Sequence, residues 1–421
     1  MQELISFVGV FVLLGIAWLL SNNKRKIDYR VVFWGLLLQV VFAVLILKTT
    51  PGQAVFLYAK IAINKLLSFT DAGASFLFGN LYRSTPDIVH QIGGDGPFQL
   101  WDPQKNQFIN IGIIFAIHVL PTIIFFSSLM SVLYHLGIMQ KVVNGMAWVM
   151  AKFMKTSGAE TLSVASNIFV GQTEAPLVIR PFVSAMTMSE LMAVMTGGFA
   201  TIAGGVMAAY VRFGIDAGHL MAASVMSAPA ALVMAKIILP ETQEAATAGT
   251  MKIHVEKKSV NLVDAAATGA GDGLKLAMNV GAMLMAFIAL IAMLDFFLGL
   301  VGTSLNDILG YVFAPIAFAM GIEPADVLAF GHLLGTKISI NEFVAYIDLG
   351  ALKDQISPRS FTIATYALCG FANFSSIAIQ IGGIGGIAPD RKHDLAKLGL
   401  KAMFAGALAS WLTATIAGIL L

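Results

Sequence analysis

The feature that most constrains this chain is a set of eight predominantly apolar runs, near residues 4–21, 31–49, 108–138, 187–211, 217–239, 275–302, 360–386 and 397–421. A helix rises about 1.5 Å per residue, so about 20 such residues cross the roughly 30 Å of hydrocarbon in a bilayer. With no water there to satisfy backbone groups, each run must be helical to span. Composition agrees: 57% of residues are apolar, 12% are charged and the mean hydropathy is +0.81, far from a soluble domain. The first run follows Glu3 rather than a basic segment and ends without a small-residue cleavage pattern, so it is expected to be a retained span. A net charge of +2 offers no face for nucleic acid, and the single cysteine, Cys369, leaves no intramolecular disulfide or cysteine-cluster metal site.

Orientation follows from the basic residues. Lys24, Arg25, Lys26 and Arg30 follow the first run, Lys141, Lys152 and Lys155 the third, Lys252, Lys257 and Lys258 the fifth, and Arg391, Lys392 and Lys397 the seventh. All four clusters fall on one side, which the positive-inside rule makes cytoplasmic, leaving both termini outside. Residues 52–105, with scattered charges and the glycine-rich IGGDGPF, are expected to form an interfacial helix near 52–75 and an outer loop. Residues 158–183 and 325–350 are apolar but interrupted by Gly, Pro and polar residues. The even span count works only if each enters and leaves on one side, so both read as re-entrant hairpins, the first from the cytoplasm and the second from outside.

Within the first hairpin, NIFVGQTEAPLVIRP at 167–181 sets Asn167, Gln172, Thr173, Glu174 and Arg180 in a strongly apolar setting. A carboxylate at membrane depth costs several kcal/mol unless paired, solvated or protonated, so Glu174 and Glu342 are functional candidates. The bland alternative pairs Glu174 with Arg180 and Glu342 with Lys337. The fourth run contains GFAT at 198–201 and the seventh GFAN at 370–373, each downstream of a hairpin with a central Glu: Glu174 precedes Gly198 by 24 residues, and Glu342 precedes Gly370 by 28. Opposed hairpins followed by glycine-broken spans make an inverted repeat, a design of secondary transporters. Glycine lets a spanning helix unwind, and Thr201, Asn373, Ser375 and Ser376 add polar groups at those breaks. Taken singly, such residues also serve as interhelical hydrogen-bond glue.

Other residues carry less. His118, near Pro121, reads as a packing residue at a kink; His332 lies in the second hairpin as a relay candidate; Asp295, deep in the sixth run, faces either an aqueous cavity or an oligomer contact. No Walker loop, HExxH or Ser/His/Asp ordering is present, which argues against an ATP-driven pump or a membrane hydrolase, and the chain is not expected to be an enzyme.

NIFVGQTEAPLVIRPF at 167–182, NEFVAY at 341–346 and CGFANFSSIAI at 369–379 resemble the signature segments of the concentrative nucleoside transporter family, and ASFLFG at 74–79 and PTIIFFSSLMSVLY in the third run extend the resemblance over nearly the whole chain. It implies an all-α polytopic membrane protein with eight transmembrane helices, two re-entrant hairpins, and an inverted repeat with two broken helices, assembled as a homotrimer of scaffold and transport domains. Residues 1–138 then supply scaffold spans, 139–239 the first transport repeat (hairpin 158–183, broken span 187–211, span 217–239), 240–302 a cytoplasmic amphipathic segment and the sixth, scaffold span, and 303–421 the second repeat (hairpin 325–350, broken span 360–386, span 397–421).

The resemblance implies that Gly171, Gln172, Thr173 and Glu174 at the first hairpin tip meet the nucleobase, with Val206 packing against it. Glu342, Asn373 and Ser376 take the ribose, and Phe371 gives an aromatic contact. In sodium-coupled members the ion lies between the hairpin tip and the unwound fourth span. Here this gives the side chains of Asn167 and Thr201 and the carbonyls of Val170 and Ile202, with Thr201 standing where relatives often have Ser. A hard cation suits such an all-oxygen set. The expected activity is sodium-coupled import of uridine-like nucleosides by an elevator mechanism in a bacterial inner (plasma) membrane, with no cofactor beyond the coupling ion. A proton-coupled carrier is the alternative; a channel or an intramembrane enzyme are the rival classes.

Overall fold

The computed structural model describes residues 1–82, 99–102, 107–110, 114–247 and 259–421. The IGGDGPF loop and the Lys252, Lys257 and Lys258 cluster lie outside them. Helices dominate: α1 Gln2–Leu19, α2 Tyr29–Lys48 and α3 Thr50–Phe78 are followed by a two-stranded antiparallel hairpin, β1 Gln99–Asp102 and β2 Gln107–Asn110. That small hairpin leaves the all-α class intact and corrects one expectation, a third span beginning at 108. A single turn at Phe115–His118 leads into α4 Leu120–His135, the kink falling beside Pro121. Next comes α5 Ile138–Met154, with one buried edge through Met139, Val143, Ala147, Met150 and Met154.

The two polar hairpins follow a common plan. In the first, α6 Gly158–Ser166 turns back through residues 167–174 into a 3-10 segment, Ala175–Ala185; in the second, α12 Val327–Ser339 turns at Ile340 and Asn341 into α13 Glu342–Ala351. A helix interrupted at mid-length follows each: α7 Met188–Ala200 with α8 Gly204–Arg212, and α14 Pro358–Leu368 with α15 Phe374–Ile387. Long helices, α9 Ala217–Ile238 and α16 Lys392–Leu420, close the two units. Between the units stand α10 Leu262–Gly299, which begins well before the expected 275, and α11 Leu305–Ala319, a short apolar helix packed on α12 that the hydropathy reading did not resolve.

Both hairpins are closed at their bases. Ser157 and Thr187, the N-caps of α6 and α7, form capping boxes with Glu160 and Glu190, and Ser157 Oγ donates to Glu190 Oε1 at 2.6 Å. Lys236 Nζ, near the end of α9, sits 2.7 Å from Glu160 Oε2 and donates to Ser189 Oγ at 2.9 Å. At the second hairpin Asp326 Oδ2 accepts from Ser357 N at 3.1 Å. In each case the residue before the hairpin meets the N-terminus of the next helix: Ser157 meets Glu190 in the first turn of α7, and Asp326 meets Ser357, the N-cap of α14, so the two ends of each hairpin lie together.

Seven helical segments among the described residues are long and apolar enough to cross a membrane. The run 360–386 is not among them, because its unwound residues split it into two short helices. Burial sorts the spans into two kinds. α7, α8, α9 and α16 are almost wholly enclosed, whereas α1, α2 and α10 expose apolar side chains such as Phe7, Phe11, Phe33, Met278, Met285 and Phe297, and α4 is half-buried along its length. Exposed apolar surface of that extent suits lipid or another protein face. α10 packs closely on α4, where a Cβ at Gly269 or Gly273 would come within 2.8 Å of α4 atoms around Ser127, Ser128 and Ser131. This is a small-residue crossing of the Gly-x-x-x-Gly type.

Candidate substrate and cation site

The breaks in the two interrupted helices bring the candidate residues together. Gly370 has φ +133°, a conformation that only glycine adopts without strain, and a Cβ there would lie 2.5 Å from Phe199 O. The unwound ends of α7 and α14 therefore touch back to back, and each break faces a hairpin tip. Gly204 N donates to Phe169 O at 3.0 Å, joining the first tip to the first break. Asn373 Nδ2 donates to Glu342 Oε2 at 2.9 Å, joining the second break to the second tip.

Residues expected to meet a nucleoside form one hydrogen-bonded line across both units. Asn373 is the N-cap of α15: its Oδ1 accepts from Ser376 N at 2.9 Å and from Ser375 Oγ at 2.7 Å. Because a backbone N–H can only donate, the Asn373 amide is pinned with Nδ2 toward Glu342. Ser376 Oγ in turn accepts from Gln172 Nε2 at 3.1 Å. Glu342, also buried, accepts at its other oxygen from Tyr210 Oη at 3.0 Å. Lys337 does not hydrogen-bond to it; the Lys337 ammonium donates instead to Ala367 O and Ser410 Oγ, both at 2.8 Å, at the last turn of α14.

Of the remaining candidates, Gly171 N donates to Glu174 Oε2 at 2.9 Å, folding the tip around the exposed Glu174, and Thr173 lies against Gly383 of α15. Val206 is buried one turn before Tyr210 on α8, and Phe371 is half-buried at the second break. The other titratable candidates find local roles. His118 Nδ1 lies 3.0 Å from Ile114 O with its ring stacked on Tyr82, His332 Nε2 lies 3.6 Å from Asp348, and Asp295 Oδ1 accepts from Leu305 N at 2.7 Å at the entry to α11.

The oxygen set expected for a cation shows a specific deficit. Asn167 is buried, its Nδ2 donates to Ser163 O at 3.2 Å, and its Oδ1 has no hydrogen-bond partner among the described residues. The Ser163 carbonyl can only accept, so Oδ1 is turned away from α6. Thr201 Oγ1 spends its proton on Gly197 O at 2.9 Å, leaving lone pairs free. No backbone N–H among the described residues donates to the carbonyls of Val170 or Ile202. Buried acceptors left without donors cost about 1–3 kcal/mol each, and a hard monovalent cation is the partner that uses acceptors alone.

Sequence reasoning missed Tyr210, Gln380 and Lys236. Gln380 and Lys236 were visible as lone polar residues in otherwise apolar helical runs, IAIQIGGIGGI and AALVMAKIIL. Tyr210 carried no comparable signal, since a tyrosine near a helix end is ordinary in a membrane protein.

Interrupted apolar helices facing hairpins closed at their bases, around a buried polar line, are the architecture of a membrane transporter. The sequence matches the Na+ dependent nucleoside transporter N-terminus over residues 8–81, the nucleoside recognition gate over 116–217 and the Na+ dependent nucleoside transporter C-terminus over 219–418. It is 44% identical over 427 residues to the uncharacterized transporter YutK of Bacillus subtilis (strain 168), covering 100% of both chains. It is 41% identical to sodium/nucleoside cotransporter 1 of Mus musculus, covering 100% of this chain and 64% of that protein. The structure of CNTnw in an inward-facing substrate-bound state superposes with a TM-score of 0.88 at 41% identity, covering 100% of this chain and 98% of that one. A CNTnw variant in an outward-facing state gives 0.90 at 40% identity with the same coverage. The chain belongs to the concentrative nucleoside transporter family, the family described by the Na+ dependent nucleoside transporter models, and that family and fold imply transport rather than enzymatic chemistry.

Proposed function

We propose that this protein imports nucleosides of the uridine type by symport with sodium, in a bacterial plasma membrane. The observation that carries this reading is the pairing of one continuous polar line, Gln172 to Ser376 to Asn373 to Glu342, with an orphaned buried oxygen, Asn167 Oδ1, on the same hairpin tip.

The chemistry follows from the donor and acceptor inventory. Glu342 receives one hydrogen bond at each oxygen yet has about four lone-pair directions, so it can accept from ribose hydroxyls as well. Gln172 and Thr173, with Gly171 and Glu174 shaping the turn, hold the base, while Val206 and Phe371 give its faces apolar contact. A nucleoside without ribose hydroxyls leaves Glu342 under-satisfied at a cost of about 1–3 kcal/mol, which favours nucleosides over free bases. Sodium, held by the Asn167 and Thr201 side chains and the Val170 and Ile202 carbonyls, ties the first tip to the first break. Gln172 lies five residues from Asn167, so an ion that orders the tip raises nucleoside affinity, and by linkage the nucleoside raises ion affinity equally.

Transport then moves the two hairpin-and-broken-helix units (139–239 and 303–421) as one body against a scaffold of residues 1–138 and 240–302, in a chain of eight spans with both termini outside. The closed hairpin bases support rigid units, and the exposed apolar length of α10 supports a homotrimer contact there. The test is uptake of labelled uridine into proteoliposomes under an inward sodium gradient or a proton gradient at matched potential. Sodium-driven accumulation abolished by Glu342→Ala supports the reading. Accumulation driven by protons alone removes the sodium site, and no uptake by folded protein refutes the substrate class.

A further inference from the structure

The amide of Gln172 has two faces, a donor and an acceptor, and the reading above leaves open which one meets the base. Gln380, halfway along α15 and with no solvent exposure, answers this. Its Nε2 lies 3.1 Å from Met195 O and 3.0 Å from Gln172 Oε1. A backbone carbonyl accepts only, so the Gln380 atom facing Met195 O must be nitrogen. That same nitrogen then requires an acceptor from Gln172, which turns Gln172 Oε1 toward Gln380 and its Nε2 toward Ser376 Oγ, one turn earlier on α15, at 3.1 Å, leaving the second Nε2 proton to donate elsewhere. Gln380 Oε1 has no donor among the described residues, so no protein group favours the opposite orientation.

The surrounding backbone is cut to fit this relay. A Cβ at Gly198 would lie 2.7 Å from Gln380 Nε2 and 2.9 Å from Gln172 Cβ, so glycine there makes room for both amides. One turn along α15 from Gln380, a Cβ at Gly383 would meet Thr173 Cγ2 at 2.7 Å, so the same helix face seats the next residue of the tip.

We infer that Gln380 is a specificity-determining positioning residue: through Met195 O it locks Gln172 as a hydrogen-bond donor, and the site thereby selects nucleosides whose base presents an acceptor, a carbonyl oxygen or unprotonated ring nitrogen, at that edge. The inference rests on Gln172 facing the base, as proposed above. An amino group at the same edge meets another donor and is rejected. Because the lock runs through a backbone carbonyl, it does not relax when the substrate leaves.

The experiment is competition of labelled uridine uptake in proteoliposomes by uridine, cytidine, 2-thiouridine and 4-thiouridine, for the wild type, Gln380→Met and Gln380→Glu. In the wild type at least one change at a base acceptor weakens competition about tenfold, the scale of one lost hydrogen bond. Gln380→Met frees Gln172 to rotate, and the spread contracts to about threefold or less. Gln380→Glu presents carboxylate acceptors to Gln172, which must then turn its Nε2 from Ser376 to position 380 and offer Oε1 to the base, so the order of uridine and cytidine inverts. Loss of packing alone lowers uptake of all four together and leaves their order intact; that result overturns the inference. If Gln380→Met is not monodisperse, Gln380→Glu, which keeps the side-chain size, decides alone. Absence of uridine uptake by the wild type overturns the nucleoside reading itself, and this inference with it.

Discussion

Replacing Asn167 by alanine separates a sodium ligand from a structural amide, because the two roles predict opposite dependence on the ion. In sodium-free medium the substitution removes the Nδ2 hydrogen bond to Ser163 O, a net loss of about 0.5–1.5 kcal/mol, but also removes the orphaned Oδ1, whose burial without a donor costs about 1–3 kcal/mol. The two offset, so the apparent Tm in choline should stay within a few degrees of wild type. In sodium the balance changes. A ligand present at 100 times its Kd stabilises the state it binds by about 2.7 kcal/mol. If losing one of four oxygens raises the Kd about tenfold, the gain at the same concentration falls to about 1.4 kcal/mol. The assay is thermal unfolding of detergent-purified protein titrated with sodium chloride against choline chloride, beside sodium-dependent uptake. Asn167→Ala should halve the sodium-induced stabilisation and move the uptake curve about tenfold to higher sodium. An equal loss in both media, or an unchanged sodium response, would refute the assignment of Asn167 Oδ1 as a ligand.

Three further substitutions probe other parts of the structure. Tyr210→Phe keeps the ring stacked on Tyr346 and Phe343 but removes one hydrogen bond to the Glu342 carboxylate; a charged acceptor makes this worth about 1.5–3 kcal/mol, so uridine affinity should fall at least about tenfold and discrimination against 2′-deoxyuridine should narrow, measured by competition. Lys236→Met leaves Glu160 buried without its cation and should destabilise the protein by about 3–5 kcal/mol, while Lys236→Met with Glu160→Gln should recover most of the loss in the same unfolding assay. Gly370→Ala forces a left-handed backbone on a side chain whose Cβ would meet Phe199 O at 2.5 Å, so uptake should be lost even where the variant remains monodisperse; wild-type uptake would mean that the two breaks need not touch.

Legibility in the sequence divided along physical lines. Hydropathy reports the free energy of placing a local segment in lipid, so α1, α2, α9 and α16 emerged close to their observed limits. It is blind to helices too short to span and to charged turns at a span's end. α11 is too short to register as a span, and the N-terminal turns of α10 carry Asp264, Asp272 and Lys275, which pushed the expected start to 275. The stretch 107–110 was apolar enough to be read as the start of a span, yet it pairs with 99–102 as a hairpin, an outcome set by cross-strand hydrogen bonding that hydropathy does not encode. Glycine and polar residues inside apolar runs located both helix breaks, because unwinding in a membrane has few other causes.

By itself the sequence determined that the chain lives in a bilayer, that two of its spans are broken, and which polar residues stand at the breaks. Only the tertiary structure decided what those residues do to one another. Gln172 meets Ser376 across 204 positions, Gln380 meets Gln172 across 208, and Tyr210 meets Glu342 across 132. None of these partners is implied by local periodicity, since each depends on how one repeat packs against the other. The direction in which an amide points, and hence whether it offers a donor or an acceptor to a substrate, is set by the last hydrogen bond in such a chain. Met195 O and Ser163 O, two backbone carbonyls that carry no side-chain signature at all, orient Gln172 and Asn167.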